Sequence, residues 1–276
     1  MKASRHVLAA LVLLTLFAAA GCSFVSDWST CDKPAADPAA AVAACTRLIE
    51  SGRLNGASLA AILTDRAAAH FNLRQLDRSL ADLDQAIRTQ PDFTIALVRR
   101  AGLHAFRGEL DQALADANRA VALNPKDVGP RLERAQILGM KHDFAGQIGE
   151  LDAVLAAAPD NPDVMNSRCW ARATHGTDLD LALADCNASL RLRPNDAHTL
   201  DSRGFVYLRM RRYTEAIRDY DAAISREPGL APSFYGRGLA KRAIGDAAGS
   251  VSDISSAKAL GPNVVREFQG YGIAMP

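Results

Sequence analysis

Prolines recur along most of this chain at a nearly constant interval, and no other feature restricts its fold as strongly. They stand at Pro91, Pro125, Pro159, Pro194, Pro228 and Pro262, spaced 34, 34, 35, 34 and 34 residues apart. Each follows a stretch of helical character, as in DQAIRTQP, NRAVALNP and DAAISREP. Proline cannot continue a helix, so each marks a stop and a turn into the next unit. A constant period of this length means stacked supersecondary units, each burying its apolar face against a neighbour.

With that proline numbered position 32, three positions hold mostly small residues. Position 8 holds Ala67, Ala101, Ala135, Cys169, Gly204 and Gly238; position 20 holds Ser79, Ala113, Gln147, Ala182, Ala216 and Ser250; position 27 holds Ala86, Ala120, Val154, Ser189, Ala223 and Ala257. Small side chains at fixed points let two antiparallel helices approach closely, and the fourth unit's extra residue is placed near Gly176. The composition, 49% hydrophobic but only 6% aromatic, suits close-packed helices rather than strands.

This pattern resembles the tetratricopeptide repeat. The clearest unit is LDSRGFVYLRMRRYTEAIRDYDAAISREP, in which Gly204, Tyr207, Tyr213, Ala216, Tyr220, Ala223 and Pro228 match the family. Units three and six depart most, with Gln147 and Ser250 at a site the family fills with alanine. The resemblance implies an all-α, right-handed superhelical solenoid of helix-turn-helix units over 60–93, 94–127, 128–161, 162–196, 197–230 and 231–264. A lead-in and half-repeat cap over 22–59 precedes them, and a capping segment over 265–276 follows. In the half-repeat, Cys45 occupies the position of Leu83, Leu151, Cys186 and Tyr220.

Residues 1–21 read as an export signal. Lys2 and Arg5 precede an apolar stretch from Val7 to Ala20, too short to span a bilayer as a helix. Two cleavage readings stand. Ala18-Ala19-Ala20 fits ordinary signal peptidase, whereas Ala19-Ala20-Gly21-Cys22 resembles a bacterial lipobox with Ala19 where leucine is usual. If Cys22 carries lipid, four cysteines remain. Cys31 with Cys45 and Cys169 with Cys186 enclose short loops that bridges could close, and the alternative is small buried hydrophobes. The expected place is the cell envelope, facing the periplasm: an outer-membrane lipoprotein, by the resemblance of Ser23 to a sorting residue, or else a soluble periplasmic protein.

Position 7 is arginine in every unit (Arg66, Arg100, Arg134, Arg168, Arg203, Arg237), and position 23 is acidic in every unit (Asp82, Asp116, Glu150, Asp185, Asp219, Asp253). Pairing within a unit satisfies all of them, whereas pairing into the next unit strands Arg66 and Asp253. Within-unit structural ion pairs are therefore expected, not a comb for a polyanion.

By the family resemblance, a partner protein or peptide would lie on the first helices of the units. The implied lining is Phe71, Val98, Phe106, Leu132, Met140, Trp170, Phe205, Leu208, Tyr235 and Leu239, with Asp201, Arg209 and Arg242 as polar points. Trp170 is the leading anchor candidate. The family's clamp for an acidic C-terminus is not supported, since its places hold Thr64, Ala68, Val98 and Gly102.

Lys plus Arg number 32 against 31 Asp plus Glu, which gives no drive toward nucleic acid. No phosphate-binding glycine loop, nucleophile elbow or HExxH pair occurs. His70 and His104 share position 11 but would lie too far apart to share a metal. The expectation is a non-catalytic scaffold or adaptor with no cofactor, metal or small-molecule substrate. A soluble chaperone or peptide carrier, or an obligate structural subunit, remains the alternative.

Overall fold

A computed structural model describes residues 24–273, so residues 1–21, read as an export signal, and the lipidation candidate Cys22 lie outside the described residues. The described residues form fifteen helices and no strand. A first helix, α1, covers residues 24–31. The half-repeat follows as α2 (Pro38–Glu50), and the full units pair α3 (Gly56–Asn72) with α4 (Leu76–Thr89), α5 (Thr94–Phe106) with α6 (Leu110–Leu123), and α7 (Val128–Met140) with α8 (Phe144–Ala157). Then come α9 (Pro162–His175) with α10 (Leu179–Leu192), α11 (Ala197–Arg209) with α12 (Tyr213–Arg226), and α13 (Ala231–Ala243) with α14 (Ala247–Leu260). A short α15 (Val264–Gly270) ends the described chain. The chain divides into two compact units, 1–133 and 134–276, and the division falls within α7.

Helix starts are set by side chains that accept orphan N–H groups. Asp196 accepts from Thr199 N–H (2.8 Å), Asn161 from Asp163 and Val164 (3.1 and 3.2 Å), and Asp246 from Gly249 (2.9 Å). α3 begins at Gly56, four residues before the repeat start expected at 60, with the Ser58 hydroxyl accepting from Asn55 N–H (3.2 Å). The turn between paired helices has one recurring requirement, a left-handed residue at position 15. Gly108, Gly176 and Gly245 supply it in three units, while Arg74 (φ 60°), His142 (φ 60°) and Arg211 (φ 59°) adopt it in the others. The extra residue of the fourth unit is absorbed at this turn, where α9 runs 14 residues against 13 for α11 and α13.

The small residues do the packing expected of them. Ala67, Ala101, Cys169, Ala113, Ala182, Ala216, Ala86, Ala120, Ala223 and Ala257 are all buried. Ser250 and Ser79 are buried too, and Ser79 spends its hydroxyl on the Ala67 carbonyl (2.8 Å). In the second compact unit the fully buried Tyr220 of α12 reaches between two glycines. A methyl group on Gly236 would meet the Tyr220 hydroxyl at 2.3 Å, and one on Gly204 would meet its ring at 2.9 Å. Each disulfide joins neighbouring helices. Cys31–Cys45 ties α1 to α2, and Cys169–Cys186 ties α9 to α10, with Cα–Cα distances of 5.0 and 5.5 Å.

Candidate functional site

The charged positions form a bracket that repeats along the chain. Arg66, Arg100, Arg168, Arg203 and Arg237 each donate through Nε and Nη2 to both oxygens of the acid at position 23 of their own unit, at 2.5–2.9 Å. Arg134 donates through Nη2 to Glu150. This bidentate geometry fixes one helix of a pair against the other. At Asp253, burial raises the carboxyl, but hydrogen bonds from Arg237 and Lys241 outweigh it and hold its pKa below the ordinary value.

A third arm of the same arginines was not legible as a partner set. Nη1 donates to the preceding unit: Arg66 to Thr46, Arg100 to Asp84, Arg168 to Asp152, Arg203 to Asn187 and Arg237 to Asp221, at 2.6–3.1 Å. The signal in the sequence was a polar residue two places after each acid, at position 25. Nε, Nη1 and Nη2 of these five guanidiniums are thereby each committed to a bond within the protein. His70 and His104 are likewise spent within their units, on Gln75 (2.8 Å) and Glu109 (2.6 Å).

The first-helix face of the first compact unit is open. Phe71 and Phe106 meet edge to face at 5.4 Å, and the Arg74 guanidinium lies 5.7 Å from the Phe106 ring centre. Phe106 remains 53% exposed, while Val98 and Leu132 are half-buried. Two carboxylates share this face at position 6. Burial pushes Asp65 up to about 6 despite the charge of Arg99, and burial also raises Glu133.

In the second compact unit the corresponding face is largely occupied by the chain itself. Phe268 of α15 packs edge to face on Phe205 (5.5 Å) and Tyr235 (4.8 Å), and Tyr271 lies edge-on to Trp170 (5.4 Å). Arg209 donates to the carbonyl oxygens of Thr174 and Tyr271 while its guanidinium lies over Phe205. Phe205, Leu208, Tyr235 and Leu239 are consequently buried core, which corrects their assignment as open groove lining. The terminal segment packs on α13 and α14 of the last unit, as a cap would, and reaches further to Phe205 of α11 and Trp170 of α9. Met140 stays 44% exposed, Arg242 is exposed, and Trp170 and Asp201 keep part of their surface facing a cavity.

The profile of the tetratricopeptide repeat matches residues 64–128 and 203–264, four of the six units that the proline period marks out. This is a tetratricopeptide-repeat protein. A tetratricopeptide repeat protein from Parabacteroides merdae superposes with a TM-score of 0.71 at 17% identity, over 91% of this chain and 98% of that one. PilW, a type IV pilus biogenesis factor, gives 0.66 at 18% identity over 74% of this chain and 94% of its own. YrrB, a tetratricopeptide protein with an unusual peptide-binding site, gives 0.50 at 18% identity over 69% and 98%. At these identities the likeness establishes the fold. Comparison with curated proteins gives no match. Proteins of the tetratricopeptide family bind protein or peptide partners, and they do so as interaction scaffolds rather than as catalysts. No group of three or more potential metal ligands, and no helix long and apolar enough to cross a membrane, occurs among the described residues.

Proposed function

We propose that this tetratricopeptide-repeat protein is a non-catalytic scaffold of the bacterial cell envelope, which holds a helix or peptide of a partner protein on its first-helix face. One observation carries the reading. The second compact unit already binds a seven-residue helix on that face through Phe205 and Tyr235, with Tyr271 just beyond the helix on Trp170, so the surface chemistry accepts a short helix with an aromatic anchor. The first compact unit presents Phe71, Val98 and a half-exposed Phe106 at the equivalent helices with no such segment of its own among the described residues. Two cysteine pairs joined as disulfides support an oxidising compartment, and the export signal, with lipid on Cys22, would supply the route and the anchor.

Photo-crosslinking in cells tests the partner surface. A crosslinker replacing Phe106 or the 55% exposed Ile95 should give discrete protein adducts, and one replacing the 71% exposed Val251 on α14 should not. Equal labelling at the three positions would refute the assignment. Intact mass of the native protein from its membrane fraction tests the anchor. A chain beginning at Cys22 with acyl groups supports the lipoprotein, whereas an unacylated chain beginning at Gly21 favours a soluble periplasmic carrier.

A further inference from the structure

Beside the segment that α15 covers, the second compact unit keeps a cavity of about 310 Å³ lined by Gln147, Asn166, Ser167, Trp170, His198, Asp201, Ser202 and Pro232. Several of its oxygens are short of donors. The Ser167 hydroxyl donates to the Asp163 carbonyl and the Ser202 hydroxyl to the His198 carbonyl, each at 2.9 Å, so both oxygens face the cavity only as acceptors. Ser233 donates to Asp201 Oδ1 at 2.5 Å, and the second carboxylate oxygen has no hydrogen-bond donor among the described residues. Asn166 Oδ1 is buried without a hydrogen-bond partner. Asp201's second oxygen and Asn166 Oδ1 are thus acceptors left without a donor, and a ligand rich in N–H groups would satisfy them.

The charge and shape narrow the class further. Asp201 is an acid whose nearest positive candidate is His198, and that ring lies toward Glu227, 3.6 Å away, with most of its surface in solvent. Trp170 contributes an aromatic wall, held by Phe205 at 5.0 Å and Tyr271 at 5.4 Å, against which a planar cation can rest. Two acceptors on different helices, Asn166 on α9 and Asp201 on α11, suit a planar fork of donors better than a point charge. Nor does the repeat require an acid here. The equivalent position in the other units holds Thr64, Val98, Leu132, Asn166 and Tyr235.

We propose that this cavity is a binding site for the guanidinium of an arginine side chain presented by the partner, with Asp201 and Asn166 accepting its N–H groups and Trp170 forming its aromatic wall. The proposal rests on the scaffold reading only in assigning that arginine to a partner protein; the cavity's own chemistry is testable without one.

The probe is Nα-acetyl-arginine methylamide, with the neutral isostere Nα-acetyl-citrulline methylamide as control. The full chain carrying Trp28→Phe leaves Trp170 as the sole tryptophan, so its fluorescence reports the cavity. The expected result is a saturable change with the arginine probe, and binding weaker by about tenfold or more with citrulline and in the Asp201→Asn variant. Asn166→Leu should weaken the arginine probe as well, and thermal melting of each variant verifies that the fold is kept. Equal binding of citrulline, undiminished binding in Asp201→Asn, or no saturable change at all would overturn the site. Acetyl-lysine methylamide binding as tightly as the arginine probe would overturn the guanidinium assignment. Crosslinks at Phe106 with no probe binding would sink this site and leave the scaffold standing; probe binding without crosslinks would do the reverse.

Discussion

Asp201→Asn should make the second compact unit more stable at neutral pH, and the gain should vanish in acid. Burial pushes this carboxyl from an ordinary 3.8 up to about 6, while the hydrogen bond from Ser233 and the charge of His198 only partly offset that. A carboxyl whose folded pKa lies above its unfolded one binds protons more tightly when folded. Its anion therefore costs stability above the folded value, and the cost disappears as pH falls below the unfolded one. The difference of about two pH units corresponds to about 3 kcal/mol, at about 1.4 kcal/mol per unit. Asparagine keeps the size of the side chain and can still accept from Ser233, but it carries no charge to desolvate.

The assay is urea unfolding of parent and variant in the Trp28→Phe background, followed by Trp170 emission so that the second compact unit is read. The variant should be the more stable by about 3 kcal/mol at pH 7.5, with the gap closing by about 1.4 kcal/mol per unit between about pH 6 and 4. Other groups titrate alike in both proteins and cancel in the difference. A gap that is absent at pH 7.5, or that does not shrink in acid, would refute the picture of a poorly compensated buried anion.

Asp219→Asn should cost about 3 kcal/mol because it strips the bidentate partner from a largely buried Arg203, whereas Asp221→Asn, at a 55% exposed side chain, should cost at most about 0.5 kcal/mol in the same denaturant titration. Replacing Cys169 and Cys186 together with alanine should lower stability by about 3 kcal/mol, and the parent's loss on reduction should then be correspondingly smaller in the variant. Phe268→Ala removes a side chain that is 2% exposed and should weaken the docking of α15 by about 3 kcal/mol, seen as a red shift of Trp170 emission and as dye binding to the uncovered aromatic face. Arg211→Gly should stabilise by about 0.5–1 kcal/mol, since glycine adopts the left-handed turn at φ 59° without a Cβ penalty; an unchanged unfolding midpoint would count against that strain.

The parts of this molecule that repeat were legible, because repetition multiplies a weak local signal. One Arg-to-acid spacing of 16 residues says little, but Arg66–Asp82, Arg100–Asp116, Arg203–Asp219 and Arg237–Asp253 all share it, and a helix pair of fixed geometry makes that spacing a contact. The left-handed turn was hidden by Arg74, His142 and Arg211, which adopt a conformation their residue types do not advertise. The destination of α15 was hidden for a different reason. A seven-residue helix has no period to read, and its reach back to Phe205 and Tyr271's contact with Trp170 depend on where the turn at Gly261, Pro262 and Asn263 aims it. The cavity was illegible because its lining comes from scattered positions of several units and its character lies in which hydrogens are already spent.

That last point separates Asp201 from the bracket acids of the second compact unit. Asp185, Asp219 and Asp253 are built into brackets that hold helix pairs together, and each faces an arginine at hydrogen-bond distance. Asp201 has a serine hydroxyl, and its neighbouring asparagine oxygen has nothing. Stability alone would favour an uncharged residue at this position, as the other units have. Residues that lower stability without serving the fold concentrate at sites where the missing interaction is supplied from outside. A guanidinium bound there would bring donors to the two unpartnered oxygens and the positive charge that the buried carboxylate lacks. The stability cost at Asp201 and the proposed affinity for arginine are thus one electrostatic deficit, measured without the ligand and with it.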